Sequence, residues 1–207
     1  MIIIINIYNT AVNSTFSTNF SYFICASNGD AAVVDPCGDT SKIIAEIRRH
    51  PDARPKYILI THGHRDHISG LADVLNVFPA PVAAHPECRV HSDIRLADHL
   101  HLPFGDSYIE CLFTPGHAVS SVCYRLGDDS AIFTGDTLFI DCCGYCDAAI
   151  MFHTMREILY PLPDSLIVYS GHDYGHVPYE ALGAQKKTNP YLYTKDLPAF
   201  IEEVKKL

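Results

Sequence analysis

The chain has 207 residues and a formal charge of −9, from 15 Lys+Arg against 24 Asp+Glu. Its 48% hydrophobic share can fill a sizeable core, which excludes a mostly disordered chain and a miniprotein dependent on disulfides. It has no basic run and no apolar run of membrane-spanning length, so nucleic acid, anionic lipid and a bilayer are not expected partners.

The opening Met1-Ile2-Ile3-Ile4-Ile5 is apolar but lacks a positive flank, and Asn6, Asn9 and Asn13 interrupt it. It reads as a first strand and not as a signal peptide, which points to a cytoplasmic chain. Runs rich in β-branched and aromatic residues predict strands near 2–8, 20–26, 30–35, 56–61, 81–84, 108–113, 120–126, 130–134 and 165–169. Asp39 or Thr40 can cap a helix whose Ile43, Ile44 and Ile47 share a face. A second helix is expected from about His67, carrying Leu71, Val74, Leu75 and Phe78 at helical spacing. A third covers roughly 152–160, ended by Pro161 and Pro163, and a short amphipathic helix runs from Pro198 to Leu207. Strands in runs with helices between pairs suit two sheets packed face to face with helices outside, in one α/β (α+β) domain over 1–207.

Cys25, Cys88, Cys111 and Cys123 lie in or beside apolar runs and read as buried thiols in a reducing compartment. Cys142, Cys143 and Cys146 cluster. Cys143-Gly144-Tyr145-Cys146 is a lone C-x-x-C, for which a structural turn is favoured and a zinc site or a redox pair stays open.

The segment Thr61-His62-Gly63-His64-Arg65-Asp66-His67 carries the chemistry. A buried strand runs straight into four ligand-type side chains. His62 and His64 are two apart, so an extended backbone points both to one side. Imidazole nitrogen and carboxylate oxygen suit a divalent metal of borderline softness. One segment cannot surround an ion, and further donors stand at other strand ends: His117 in Thr114-Pro115-Gly116-His117, Asp136 in Thr134-Gly135-Asp136, and His172 in Ser170-Gly171-His172. Each follows the same order of apolar strand, small residue, then His or Asp.

These motifs resemble the metallo-β-lactamase superfamily, and the likeness extends over nearly the whole chain. The resemblance implies an αββα sandwich with a metal cleft at one edge. It implies two divalent ions, zinc with iron as the other possibility. One would be held by His62, His64 and His117 and the other by Asp66, His67 and His172, with Asp136 between them. Asp35 would orient a ligand histidine. Phe133-Thr134-Gly135-Asp136-Thr137-Leu138-Phe139, Cys143-Gly144, Gly171-His172-Asp173-Tyr174 and Thr188-Asn189-Pro190 are similar to the glyoxalase II (hydroxyacylglutathione hydrolase) and persulfide dioxygenase branch.

That branch implies hydrolysis of an acyl thioester by a hydroxide shared between the ions. Asp66 and Asp136 would be the catalytic carboxylates, and Tyr145 and Tyr174 would contact substrate. The thiol carrier stays open among glutathione, coenzyme A and acyl carrier protein, because Tyr145 stands where the branch usually has a basic residue. No separate helical substrate domain is expected. A mononuclear iron persulfide dioxygenase and a non-catalytic metal-binding module are the alternatives.

Overall fold

The computed structural model describes residues 2–10 and 18–207. Its first sheet holds β1 (Ile2–Thr10), β2 (Thr18–Ala26), β3 (Asp30–Val34), β4 (Arg54–Leu59), β5 (Val82–Ala84) and β6 (Ile94–Arg95), in that spatial order. The second holds β7 (His101–Phe104), β8 (Ser107–Phe113), β9 (Val122–Leu126), β10 (Ala131–Gly135), β11 (Ile167–Ser170) and β12 (Tyr179–Ala181), also in chain order across the sheet. β1 to β3 pair antiparallel and β3 to β6 parallel. In the second sheet only β10 and β11 pair parallel.

Strand alternation sorts the apolar residues into layers, because successive side chains point to opposite faces. On β2, Phe20, Tyr22 and Ile24 face the space between the sheets, while Phe23 faces the outer helices. On β4 and just beyond it, Tyr57 and Leu59 face inward and Ile58 and Ile60 outward. On β10, Phe133 enters the inter-sheet core and Ile132 packs under the opposite helical layer. Full burial of each such side chain contributes roughly 1.5–3 kcal/mol. The result is four layers, with helices outside both sheets, as expected.

The first outer layer contains α1 (Ser41–Arg49), α2 (Arg65–Ile68) and α3 (Leu71–Leu75). Ile43 and Ile47 of α1 pack on the outer face of the first sheet. Asp39 Oδ1 accepts from Ser41 N at 2.9 Å, and Thr40 is the N-cap residue without a side-chain capping bond, its hydroxyl donating instead to Asp73 Oδ2 at 3.3 Å. The helix expected from His67 to Phe78 is two short helices. Gly70 breaks it, because its N–H donates to Pro36 O at 2.9 Å and a Cβ there would run into Thr40.

The other outer layer contains α4 (Ala148–His153), α5 (Leu182–Thr188), α6 (Pro190–Tyr193) and α7 (Leu197–Val204). Asp147 caps α4 by accepting from Ala149 N and Ile150 N. α4 runs on as a π-helical stretch, Thr154–Leu159, so the third helix starts earlier than its apolar spacing suggests. Strands β6, β7 and β12 and helices α5 and α6 add to the expected elements. No helix among the described residues is long and apolar enough to cross a membrane.

Candidate metal centre

Five chain segments reach one edge of the sandwich: the ends of β3, β4, β10 and β11, and the loop between β8 and β9. Backbone bonds lock the two sheets together there. Phe20 N donates to Gly171 O at 2.9 Å and Val122 N to Thr61 O at 2.8 Å, while within the second sheet Gly171 N donates to Gly135 O at 2.8 Å. Tyr124 Oη, buried between the sheets, donates to Ile60 O at 2.7 Å. The loops that carry the ligand-type side chains therefore leave a rigid frame.

All seven residues expected as ligands converge. In one cluster, His64 Nδ1 lies 3.0 Å from His62 Nε2 and 2.9 Å from His117 Nε2. Asp136 Oδ2 lies 3.5 Å from His117 Nε2 and 3.9 Å from His62 Nε2. In the second, His67 Nε2 and His172 Nε2 are 3.3 Å apart, and Asp66 Oδ2 is 3.6 Å and 3.4 Å from them. Asp136 faces this cluster too, with Oδ1 at 3.1 Å from His67 Nε2 and Oδ2 at 3.3 Å from His172 Nε2.

The spacing fits a cation. Ligands about 2.0–2.1 Å from a tetrahedral zinc lie roughly 3.3 Å from one another. Both clusters have that spacing, and they offer only imidazole nitrogen and carboxylate oxygen. Asp136 Oδ1 is buried, and no hydrogen bond is made to it. A fully desolvated carboxylate oxygen without a donor is costly unless a cation compensates it.

A hydrogen-bond network behind the clusters sets the tautomers. Asp35, 2% exposed, accepts from Thr61 N at 2.8 Å, from Thr61 Oγ1 at 2.6 Å and from His67 Nδ1 at 3.0 Å. Because the Thr61 hydroxyl gives its proton to Asp35, it can accept from His62 Nδ1 at 3.1 Å. His117 Nδ1 donates to Tyr145 O at 2.8 Å. His62, His67 and His117 thus carry the proton on Nδ1 and present the Nε2 lone pair to the clusters, the arrangement typical of metal-binding imidazoles. Asn19 Nδ2 donates to Asp66 Oδ2 at 3.1 Å and to Asp66 O at 3.3 Å, which fixes that carboxylate. Gly171 permits the closest approach, since a Cβ there would strike Asp136 Oδ1 and come within 2.7 Å of His67 Cε1.

Charge and burial compete in the two clusters. Burial works against a proton on His67, but the carboxylates of Asp136 and Asp35 outweigh it and raise its pKa well above the usual histidine value. Burial likewise opposes charge on His172, and Asp136 and Asp66 raise it on balance. Burial opposes the Asp136 charge, yet His67 and His172 hold its carboxyl well below the ordinary range. His62 goes the other way, pushed well down by burial and by the neighbouring imidazoles.

Thr61 and Asn19 were not singled out in the sequence. Polar residues alternating with Phe20 and Tyr22 along β2 were the available signal for Asn19. Tyr174 stacks on His172 with ring centroids 4.9 Å apart and crosses Phe139 edge-on. The Tyr145 side chain is 79% exposed, and its backbone carbonyl is what touches the site. His176 is exposed and tied to Asp141 at 2.7 Å. A groove of about 310 Å³ adjoins His64, lined by Gly63, Glu87, Arg89 and Val119 among others.

An αββα frame with paired His/Asp clusters at one edge defines a metal-dependent enzyme class. Residues 15–93 and 109–177 match the metallo-beta-lactamase superfamily, and the chain belongs to it. A probable polyketide biosynthesis zinc-dependent hydrolase of Bacillus subtilis is 30% identical over 197 residues, covering 89% of this chain and 86% of its own. A probable hydroxyacylglutathione hydrolase of Schizosaccharomyces pombe is 34% identical over 75% of this chain and 64% of its own. The human mitochondrial persulfide dioxygenase ETHE1 is 28% identical over 85% of this chain and 72% of its own. The crystal structure of ETHE1 from Myxococcus xanthus superposes with a TM-score of 0.85 at 24% identity, covering 98% of this chain and 90% of that one, and it carries the fold alone.

Proposed function

We propose that the chain is a binuclear metallohydrolase that cleaves an acyl thioester, acting as one domain. The observation that carries this reading is the pair of complete ligand clusters meeting at Asp136. His62, His64 and His117 would hold one ion, Asp66, His67 and His172 the other, and Asp136 both. Two divalent ions there, zinc for such a donor set, would lower the pKa of water towards about 7 and polarise a carbonyl.

The protein's own residues do the rest. Asp35 and Thr61 keep the His62 and His67 lone pairs aimed at the clusters. The Tyr174 ring shields one face of His172 from water. The Tyr174 hydroxyl, protonated at neutral pH as a phenol is, would donate to the substrate, and burial followed by the charges of Asp136 and Asp66 raises its pKa further. The groove beside His64 has room for part of the thiol carrier, with Arg89 on its wall. The zinc-dependent hydrolase relative, matched along most of both chains, supports hydrolysis over oxygen chemistry.

The test is thiol release from glutathione, coenzyme A and acyl-carrier-protein thioesters by zinc-loaded protein, run beside oxygen uptake on a glutathione persulfide. Turnover of at least one thioester is expected. Oxygen consumption without thioester cleavage would establish the dioxygenase reading in its place.

A further inference from the structure

The C-x-x-C stretch sits directly against the candidate metal centre. Cys143 is buried and Cys146 half-buried in the same apolar cluster, beside Met151 and Tyr191. Both are free thiols, three residues apart in the chain and packed into one apolar cluster. The two residues between them make the contacts that matter. Gly144 N donates to Asp136 O at 3.1 Å, and Tyr145 O accepts from His117 Nδ1 at 2.8 Å. Gly144 is packed so tightly that a Cβ on it would lie 2.9 Å from His117 Nδ1. On the far side, Asp147 N is bonded to Gly116 O at 3.0 Å, next to His117.

We propose that Cys143 and Cys146 form a redox-active dithiol whose closure to a disulfide loosens the hold of Tyr145 on His117 and so weakens metal binding. The chemistry needs a small-molecule disulfide as oxidant. The Cys146 thiolate attacks one sulfur of that disulfide, forming a mixed disulfide and releasing one small thiol. The Cys143 thiolate then attacks Cys146 Sγ in the mixed disulfide and releases the second small thiol. Two protein thiols lose two electrons and two protons, and one disulfide molecule becomes two thiols.

Cys146 is suited to the first attack. It is the more accessible of the pair, and the neighbouring Cys143 thiol lowers its pKa, which raises its thiolate share. Cys143, buried and with its pKa raised by the neighbouring Cys146 and by burial, is the resolving thiol. Bonded sulfurs sit about 2.05 Å apart, closer than two free thiols can approach, so closure draws in the Gly144-Tyr145 segment between them. Loss of a partner behind a metal-bound histidine typically weakens metal binding about 10–100-fold.

The experiment uses zinc-loaded full-length protein equilibrated in buffers of increasing oxidised-to-reduced glutathione ratio. Free thiols are trapped, cross-links are mapped by peptide mass spectrometry, and zinc affinity is read by competition with a chromogenic chelator. A 143–146 cross-link is expected, with zinc affinity lowered about 10–100-fold and restored by a dithiol reductant. Cys146→Ser should keep full zinc affinity across the series, and Cys142→Ala should behave as the wild type. The proposal fails if both thiols stay free at the oxidising end, if the cross-link runs through Cys142, or if the cross-linked protein holds zinc as tightly as the reduced one. The effect on zinc rests on the metal-centre reading. Reduced protein that binds no zinc would sink that reading, and the cross-link map would still decide the pair.

Discussion

Asp35→Asn tests the network behind the clusters without disturbing the backbone. Asp35 has φ +45°, a region asparagine tolerates, so the substitution adds little strain. The carboxylate accepts three hydrogen bonds, one on Oδ1 from Thr61 N and two on Oδ2 from Thr61 Oγ1 and His67 Nδ1. An amide can accept on one side only. With its NH₂ at the Oδ1 position it opposes Thr61 N–H, and at the Oδ2 position it opposes both other donors. At least one buried donor loses its acceptor, which costs about 1–3 kcal/mol. In the second orientation the amide donates to His67 Nδ1, the ring proton moves to Nε2, and the lone pair needed by the cluster disappears. Metal affinity at that cluster should fall about 10–100-fold, equivalent to roughly 1.4–2.7 kcal/mol. Zinc titration against a chromogenic chelator measures the loss of affinity, and urea unfolding of the metal-free protein measures the stability cost. An Asp35→Asn protein that binds zinc with wild-type affinity at both clusters would refute the positioning role.

Gly171→Ala should cost at least about 10-fold in zinc affinity, because the added methyl would push aside Asp136 and His67, two of the expected ligands, and press on the Gly135 backbone; unchanged affinity would contradict the packing. Tyr174→Phe keeps the ring stacked on His172, so metal content should hold while KM for the thioester rises a few-fold, about the worth of one hydrogen bond; an unaltered KM would remove the hydroxyl from the substrate. Tyr124→Phe removes a buried bond to Ile60 O and should lower unfolding free energy by about 0.5–1.5 kcal/mol in denaturant titration. Protons on His67 and His172, whose pKa values are raised, compete with metal, so zinc affinity should climb as pH rises through those values. Stability of the metal-free fold should move oppositely. The contribution of charged His67 is complete below the unfolded histidine pKa of about 6.5 and is lost as pH rises through the higher folded value. Thermal melts with and without zinc across the pH range read both trends.

The ligand set was readable in sequence because one buried strand runs into His62, His64, Asp66 and His67, and His117, Asp136 and His172 each follow an apolar strand and a small residue, patterns that survive without knowledge of the tertiary fold. His117 and His172 lie far apart in the chain, yet both stand at strand ends, and the fold brings such ends to one edge. The long strands and α1 were legible from periodicity. β6 has two residues and β12 three, too few for alternation to register. α5 carries Gly183 and a polar Gln185-Lys186-Lys187 run, so its helical stripe is faint. The roles of Thr61 and Asn19 depend on which side chain lies across the sheet, and no local pattern records that. Tyr145 shows the limit most clearly. Its side chain drew attention in the sequence, whereas its carbonyl is what holds His117.

Elemental analysis of protein produced without added metal tests the central claim most directly. The two clusters sharing Asp136 predict close to two zinc ions per chain, falling on Asp136→Ala while the fold persists by circular dichroism. One iron per chain, or full zinc retention in the Asp136→Ala protein, would contradict it.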